Sequence, residues 1–283
     1  MGTIINSNNI NSFAINGINI NGLAKNGTIV YKKAIIENIP LYEWIINNVN
    51  TVTSGAGLYH HISSLANGAA DNGYRYAGAN PNNWIKFNNE DYRIIGIFNN
   101  QIKIMKNISI VERVWDTVDN DWDKPSDLNN YLNTEWINTL GNNANLIEPK
   151  KWYIGGVNNA KHPPKFCYDK EITQQTKTQY KIGLMNSSDY GFASQAGVWR
   201  NNLNTYNKKG QETNWIHCSD NSNIWTITLR SGNATNVFHK LATGALGMAA
   251  ATVTKKFRPT FYLKSTVKYI SGNGSQTNPF IIE

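Results

Sequence analysis

The sequence predicts an α+β fold of twisted antiparallel strands with short helices and long loops, preceded by a small N-terminal β module. Residues 225–229 alternate large and hydroxylated side chains, the pattern of a half-buried strand. Residues 41–48 carry apolar side chains near helical spacing directly after Pro40, which suits the first turn of a helix. Between such segments the chain is rich in Asn, Gly, Ser and Thr, which favour turns and loops.

Composition limits the classes of protein to consider. At 283 residues, with 40% hydrophobic and 11% aromatic residues, the chain is long and apolar enough for a packed core. No apolar run approaches the roughly 20 residues of a membrane span, so we expect no membrane insertion. The net charge of +8 is spread over scattered lysines rather than a basic stripe. We therefore expect no nucleic-acid partner, and an anionic envelope polymer would suit the charge equally well.

Residues 1–33 predict a β module for attachment or oligomerisation. Ile and Asn alternate, and Asn16-Gly17, Asn21-Gly22 and Asn26-Gly27 supply hairpin turns. Such a short run does not bury a two-faced sheet alone, so we expect it to pair with copies of itself. The alternative is an Asn-rich arm with edge strands only. The predicted attachment residues are Ile15, Ile18, Ile20, Leu23, Ile29 and Tyr31.

Residues 34–57 are predicted to be a linker with a short helix over 41–48, followed by a loop over 51–57. Residues 58–66 suggest another short helix. His60 and His61 are adjacent, and adjacent histidines on a helix point apart, so we interpret them as surface or core residues rather than as metal ligands. The main domain is predicted over residues 58–283.

Strands are predicted over residues 84–87, 92–98 and 101–105, with a tight hairpin at Asn99-Asn100. Residues 119–123 have the alternating carboxylates of a calcium loop. However, Lys124 stands where that loop needs Gly, and Asn130 stands where it needs Glu. We therefore interpret this segment as the start of a helix that Ser126 or Asp127 caps.

The C-terminal third is predicted to alternate strands and loops. Residues 181–185 suggest a strand and 187–191 a turn. Ser188-Asp189 with a distant His could suggest a hydrolase, but no nucleophile elbow surrounds Ser187 or Ser188, so we favour a structural interpretation. Residues 244–251 suggest a loop of small residues, 260–267 a strand, and 272–275 a turn before the apolar 280–282.

Residues 199–225 are the best candidate ligand loop. Aromatic faces beside amides and carboxylates suit neutral sugars, which offer both an apolar C–H face and hydroxyl groups. Trp215 and Trp225 have strand-like flanks and are expected in the core, whereas Trp199 and Tyr206 stand in polar sequence and are expected at the surface.

Five motifs resemble bacterial and phage C-type-lectin-like domain proteins, relatives of retroelement variable proteins and of the formylglycine-generating enzyme fold. They are Leu229-Arg230-Ser231-Gly232, Phe257-Arg258-Pro259, the Tyr-Arg-Tyr stretch of 74–83, the strand of 92–96 and the Gly-Leu-Met segment of 183–191. The spacing of Ile, Leu, Asn-Gly and Lys over residues 15–32 also resembles a small β module of phage tail and fibre proteins. The resemblance runs from about residue 71 to the end and covers about three quarters of the chain.

The resemblance implies a virion protein of the tail, baseplate or fibre that is not an enzyme. It implies attachment to other virion proteins through the N-terminal module, assembly as a homotrimer, and binding of a host-surface glycan or protein. In the retroelement relatives, loops before the last core strand form the ligand face. Mapped onto this chain, the predicted ligand-binding residues are Trp199, Arg200, Tyr206, His217, Asp220, Asn221, Asn223, Asn233, Asn236 and His239.

Two alternatives remain at this stage. One is a purely structural virion component, and the other is an enzyme of the formylglycine-generating type, which needs a reactive cysteine pair that binds copper. Cys167 and Cys218 are the two cysteines, and neither lies in a CxxC pair, so both a disulfide and two buried thiols remain open. We expect no cofactor and no metal. The N-terminus lacks the basic and apolar segments of a secretory signal, which fits synthesis in the host cytoplasm and delivery on a virion.

Overall fold

The structure, a computed structural model, describes residues 13–15, 18–20, 22–25, 28–32, 38–61, 73–206 and 212–283. The chain divides into two compact units, Met1–Ile39 and Pro40–Glu283. The larger unit is mixed α+β, with sheets that are mostly antiparallel, as the sequence predicts. None of its described helices has both the length and the apolar character that crossing a membrane requires.

The strands are, in chain order, β1 (Phe13–Ile15), β2 (Ile18–Ile20), β3 (Gly22–Lys25), β4 (Thr28–Lys32), β5 (Gly57–His60), β6 (Tyr74–Ala77), β7 (Trp84–Phe87), β8 (Glu90–Phe98), β9 (Gln101–Lys106), β10 (Ile110–Val114), β11 (Ile182–Gly183), β12 (Ile224–Leu229), β13 (Asn236–Lys240), β14 (Leu246–Ala250), β15 (Thr254–Phe257), β16 (Thr260–Tyr262), β17 (Tyr269–Ser271) and β18 (Ile281–Ile282). The α-helices are α1 (Leu41–Asn48), α2 (Asp127–Thr134), α3 (Pro164–Glu171), α4 (Ser187–Phe192) and α5 (Trp215–Ser219). Single 3₁₀ segments span Trp136–Leu146, Ala196–Val198 and Leu203–Thr205.

The smaller unit contains two β-hairpins, β1–β2 and β3–β4, which confirms the predicted hairpins. Ile15 pairs with Ile18 on either side of Asn16-Gly17, and Leu23 pairs with Tyr31. All six predicted attachment residues lie on these strands.

The larger unit begins with α1, which has the predicted bounds and follows Pro40. The helix predicted over residues 58–66 is wrong where the structure describes it, because 57–60 form β5. Leu58 pairs with Tyr76 and Tyr59 pairs with Arg75, so this segment completes a sheet edge instead of folding on itself. The remainder of that prediction, residues 62–66, lies outside the described residues.

A seven-stranded antiparallel sheet, the first sheet, has the order β11-β16-β9-β8-β6-β5, with β7 also paired to β8. Its two tight hairpins turn at Asn88-Asn89 and Asn99-Asn100, where φ is 52°, 62°, 51° and 61°. Asn tolerates this left-handed conformation better than most residues, and two-residue hairpins of this kind need it twice. The three predicted meander strands are confirmed.

The second sheet has five strands in the order β10-β15-β12-β13-β14, and only β12 and β15 run parallel among its pairs. The loop predicted over residues 244–251 is wrong, because β14 pairs with β13 over five successive residues. Gly and Ala residues are common in loops, but here the pairing with β13 makes the segment a strand. The strand predicted over 260–267 is confirmed only as the three residues of β16.

The core lies on both faces of the central strands. Ile94 and Ile104 belong to one buried cluster, whereas their neighbours Ile95 and Met105 belong to another. Since successive side chains of a strand point to opposite faces, β8 and β9 are covered on both sides. Arg93 and Lys103, the charged residues in the middle of these strands, are therefore buried.

Helix α2 confirms the structural interpretation of the acidic segment. The Ser126 hydroxyl accepts a hydrogen bond from the Asn129 amide at 3.2 Å, as an N-cap does. Asp119 forms an ion pair with Lys124, and Asp123 accepts the backbone amide of Lys177 at 2.6 Å. The carboxylates thus bind donors within the protein.

The turn predicted over residues 187–191 is wrong, because these residues form most of α4 with a capping box at Asn186.

Candidate functional site

The predicted ligand-binding residues lie in separate places. His217, Asp220 and Asn221 line one cleft of about 790 Å³ on the larger unit, hereafter the open cleft. Asn223 lies nearby, just before β12, and its side-chain oxygen accepts the Ala242 amide at 2.9 Å. Arg200 is exposed and does not line this cleft.

Asn233 and Asn236 lie at the opposite end of the β12–β13 hairpin. The Asn233 side-chain oxygen accepts the Asn236 amide at 2.8 Å, and the Asn120 side chain donates to both of their carbonyls. The six residues of β12 span about 20 Å at 3.3 Å per residue, so these two asparagines do not share a site with the open cleft. Their hydrogen bonds build the turn.

The prediction that Trp199 and Tyr206 are exposed is wrong, because they are 0% and 3% exposed. Trp199 packs edge-on against Phe192 and donates its indole N–H to the Ser194 carbonyl at 2.7 Å. The Tyr206 hydroxyl donates to the Gly191 carbonyl at 2.8 Å. A short 3₁₀ segment precedes each ring, Ala196–Val198 before Trp199 and Leu203–Thr205 before Tyr206, so polar sequence here marks tight turns beside a buried ring.

His239 is also buried, at 4% exposure, and lies edge-on to Trp225 with ring centres 5.7 Å apart. Burial lowers its pKa to about 4, so it is neutral near pH 7. Trp215 and Trp225 are in the core, as predicted. More generally, the aromatic residues build the core, since eight of the nine tryptophans are buried: Trp84, Trp115, Trp122, Trp136, Trp152, Trp199, Trp215 and Trp225.

The open cleft is organised around the Asp220 carboxylate. One oxygen accepts the Ser109 amide at 2.7 Å and the other accepts the Ser222 amide at 2.9 Å. Burial alone would raise the pKa of Asp220, but these hydrogen bonds outweigh it and hold the pKa at about 2. The carboxylate is thus ionised and fixed in orientation.

Two further groups adjoin Asp220. The Lys240 ammonium is buried and donates to the Asp220 carbonyl, and burial lowers its pKa to about 7. Burial also lowers the pKa of His217, which sits on α5 at the cleft wall. Helix α5 is set in place by Asn214, whose side-chain oxygen accepts the amides of Ile216 and His217. A neutral imidazole, an amide and a fixed carboxylate suit a partner with several hydroxyl groups.

The two cysteines, both in described parts of the chain, form no disulfide with each other. Cys167 is buried, and burial raises the pKa of its thiol, which disfavours the thiolate. Cys218 is exposed and lines the open cleft, so the alternative of two buried thiols is wrong for Cys218. Across residues 38–61, 73–206 and 212–283, no three His, Cys, Asp or Glu side chains cluster as a metal ion requires.

A second concavity, of about 380 Å³, lies beside the first sheet and was not anticipated; we term it the interior pocket. Its charged lining residues are Arg75, Lys103, Lys150, Glu171 and Asp189. Arg75 and Lys103 come from β6 and β9, Glu171 ends α3 and Asp189 lies in α4, so two strands and two helices position the four.

Asp189 joins the two strand cations. Arg75 Nη1 lies 2.8 Å from Asp189 Oδ1, and Lys103 Nζ lies 2.6 Å from Oδ2, with all three side chains at most 4% exposed. Burial alone would raise the pKa of Asp189, but the charges of Lys103 and Arg75 outweigh it and hold the pKa at about 2. Lys103 also donates to the Asn186 side chain at 3.3 Å.

Glu171 is equally buried but has neutral partners. Its carboxylate accepts the Thr228 hydroxyl at 2.6 Å, the Ser188 amide at 3.2 Å and the Ser188 hydroxyl. Burial raises the pKa of Glu171 above its ordinary value, and the Asp189 charge acts in the same direction. Ser188 is thus engaged as a structural donor, in agreement with the sequence argument against a hydrolase.

The sequence does contain a signal for this pocket. Lys103 stands between Ile102 and Ile104 on a predicted strand, and Arg75 stands between Tyr74 and Tyr76, which have high strand propensity. Charged residues within apolar strands are buried when both faces of the sheet are covered, and a buried charge needs a partner. Sequence reasoning missed it because nothing along the chain indicates that the second face is covered.

Comparison of the chain with protein-family models, with curated proteins and with solved structures found no match.

Proposed function

We propose that this protein is a bacteriophage virion component, of the tail, baseplate or fibre, that binds a host-surface receptor, with a glycan as the receptor. The larger unit is proposed to be C-type-lectin-like, on the strength of its sequence motifs. The smaller unit is proposed to attach it to other virion proteins and to assemble it as a homotrimer. Its function is binding rather than catalysis.

The open cleft is the observation that carries this proposal. Three residues predicted from sequence as ligand-binding line it, and its carboxylate is held ionised and oriented by two backbone amides. Fixed acceptors beside amide and imidazole groups match the hydroxyl groups of a sugar, and a fixed acceptor costs little ordering on binding. Burial of the tryptophans removes aromatic stacking from the proposal and leaves hydrogen bonding as the mode of recognition.

The placement of the family motifs also supports the proposal. Phe257-Arg258-Pro259 forms the end of β15, in the second sheet, and the connection to β16, in the first sheet. Arg258 is 1% exposed and donates to the carbonyls of Lys106 and Ile216 at 2.6 and 3.3 Å. It therefore ties the first sheet to α5, the helix that carries His217.

The test is binding of the fluorescently labelled full chain to a panel of bacterial envelope glycans and to whole cells. We expect saturable binding that weakens about tenfold or more in the double variant His217→Ala/Asn221→Ala, because two hydrogen bonds are lost. Asn47→Ala, an exposed asparagine on α1, is the matched control and should bind as wild type.

Each other outcome is decisive. Binding that the double variant retains in full would move the site away from the open cleft. No binding across glycans and cells would favour the purely structural virion component. The formylglycine-type alternative gains no support, since it needs thiolates and burial holds the Cys167 thiol protonated.

A further inference from the structure

The interior pocket has an excess of positive charge. Its lining carries three cations, Arg75, Lys103 and Lys150, and two carboxyl groups, Glu171 and Asp189, so the formal sum is 3 − 2 = +1. Asp189 is shared by Arg75 and Lys103. None of the ion pairs within the described ranges includes Lys150. The Glu148 charge acts to raise the pKa of Lys150, but Glu148 does not line the pocket, so Lys150 is the lining cation outside an ion pair.

Lys150 is held at the pocket rather than left in solvent. It is partly buried, its ammonium donates to the Gln101 side chain, and it stands 4.3 Å from the centre of the Tyr262 ring. Burial lowers its pKa, and the neighbouring Lys103 charge lowers it further. A bound anion would relieve both effects, since an opposite charge favours the charged form of an amine.

The remaining lining indicates what else the anion carries. Tyr153 supplies a hydroxyl group to the lining, and Asn99 supplies an exposed amide group. The volume of about 380 Å³ falls within the range of about 300–1,000 Å³ that is usual for small-molecule sites. Hydroxyl-binding groups beside a cation that is outside any ion pair match a sugar that carries a carboxylate.

We propose that the interior pocket binds a monoanionic acidic sugar, a hexuronic acid in free form or at a chain end, with its carboxylate against Lys150. A monoanion neutralises the formal charge of +1, whereas a phosphate dianion would be repelled by the two carboxyl groups already present. This site is separate from the open cleft and goes beyond the receptor binding proposed above.

The test is isothermal titration of the full chain with glucuronate at low ionic strength. Wild type is expected to bind it, and to bind glucose, acetate and inorganic phosphate at least about tenfold more weakly. Lys150→Gln should weaken glucuronate binding about tenfold or more. The matched control is Lys151→Gln, since the neighbouring Lys151 is exposed and does not line the pocket.

Two further variants separate the possible failures. Lys150→Arg keeps the charge and should retain most of the affinity, and thermal unfolding of each variant shows whether it folds. His217→Ala/Asn221→Ala should bind glucuronate as wild type does, whatever its effect on cells, because these residues belong to the open cleft. Wild type that fails to bind glucuronate, equal binding by Lys150→Gln, or tighter binding of phosphate would each overturn the proposal. Glucuronide-terminated disaccharide compared with free glucuronate distinguishes a chain end from the free sugar.

Discussion

Asp189 and Asp220 both have a pKa near 2, yet opposite surroundings hold them there. Asp189 is 3% exposed and is ionised because two buried cations, Arg75 and Lys103, face it. Asp220 is partly exposed and is ionised because two backbone amides donate to it. The first carboxylate holds strands and helices together, whereas the second joins its own loop to Ser109, just before β10, and lines the open cleft.

A shifted pKa therefore does not by itself identify a binding group. Asp189 and Asp220 differ in the consequence of removing the charge. Without the Asp189 charge, two buried cations would lack a counter-charge. Without the Asp220 charge, water could accept the hydrogen bonds that the carboxylate now accepts, because the site is partly exposed. Four measurements test this distinction, in order of decreasing expected effect.

The largest effect is expected for Asp189→Asn, which keeps the side-chain shape and removes the charge. The free energy of unfolding should fall by about 3–5 kcal/mol, because one partner of a buried ion network is removed. Urea denaturation at pH 7 measures it. The control Asp169→Asn disrupts an exposed pair with Lys165 and should cost about 0.5 kcal/mol or less. Equal losses in the two variants would contradict the interpretation of Asp189.

The second effect is the pH dependence of that difference. A carboxyl whose folded pKa is depressed from 3.8 to about 2 stabilises the fold above pH 3.8, and this contribution is lost as the pH falls towards 2. The shift corresponds to about 2 kcal/mol. The stability gap between wild type and Asp189→Asn should therefore narrow by that amount between pH 5 and pH 2. A gap that stays constant would show that Asp189 is not the titrating group.

The third effect concerns Asp220→Asn. One of its two backbone amide donors would face the new NH₂ group, at a cost of about 1 kcal/mol, because water reaches this partly exposed site. Equilibrium unfolding in urea checks the value. A loss as large as that of Asp189→Asn would mean that Asp220 is also a structural charge.

The smallest effect is expected for Glu171→Gln, which should change stability at pH 5 by less than about 1 kcal/mol, because rotating hydroxyls can satisfy either group. A carboxyl whose folded pKa is raised stabilises the fold below its unfolded pKa of 4.5 and loses that contribution as the pH rises through the folded pKa. The variant should thus gain stability relative to wild type between pH 4 and pH 7. A decline over that range would reverse the sign that we assign.

Much of the fold could be predicted from local patterns. Helix α1, the β7–β8–β9 meander, the Ser126 cap and the N-terminal hairpins each depend on short-range spacing and turn residues, which a sequence displays directly. Segments whose structure depends on a distant partner were missed. Strand β14 contains the small residues Gly247, Ala249 and Ala250 and is a strand because β13 pairs with it, and β5 is a strand because β6 pairs with it.

The candidate site shows the same division. His217, Asp220 and Asn221 are close in sequence and could be grouped by their polar chemistry. The exposure of Trp199 and Tyr206 could not be inferred from their polar neighbours, because those neighbours form turns beside a buried ring. The interior pocket joins Arg75, Lys103 and Asp189 over separations of up to 114 residues, and no local pattern connects them.

The positions of β15 and β16 in the two sheets set the order in which this chain can fold. In the second sheet β15 lies between β10 and β12, and in the first sheet β16 lies between β9 and β11. At a synthesis rate of roughly 5–20 residues per second, the ribosome needs tens of seconds to reach β15 at Thr254. Before that point neither sheet can close, so the earlier hydrophobic strands stay incompletely paired. Such non-local topology folds slowly and makes a prematurely terminated chain prone to aggregation. Both sheets can therefore close only in chains that extend through β16.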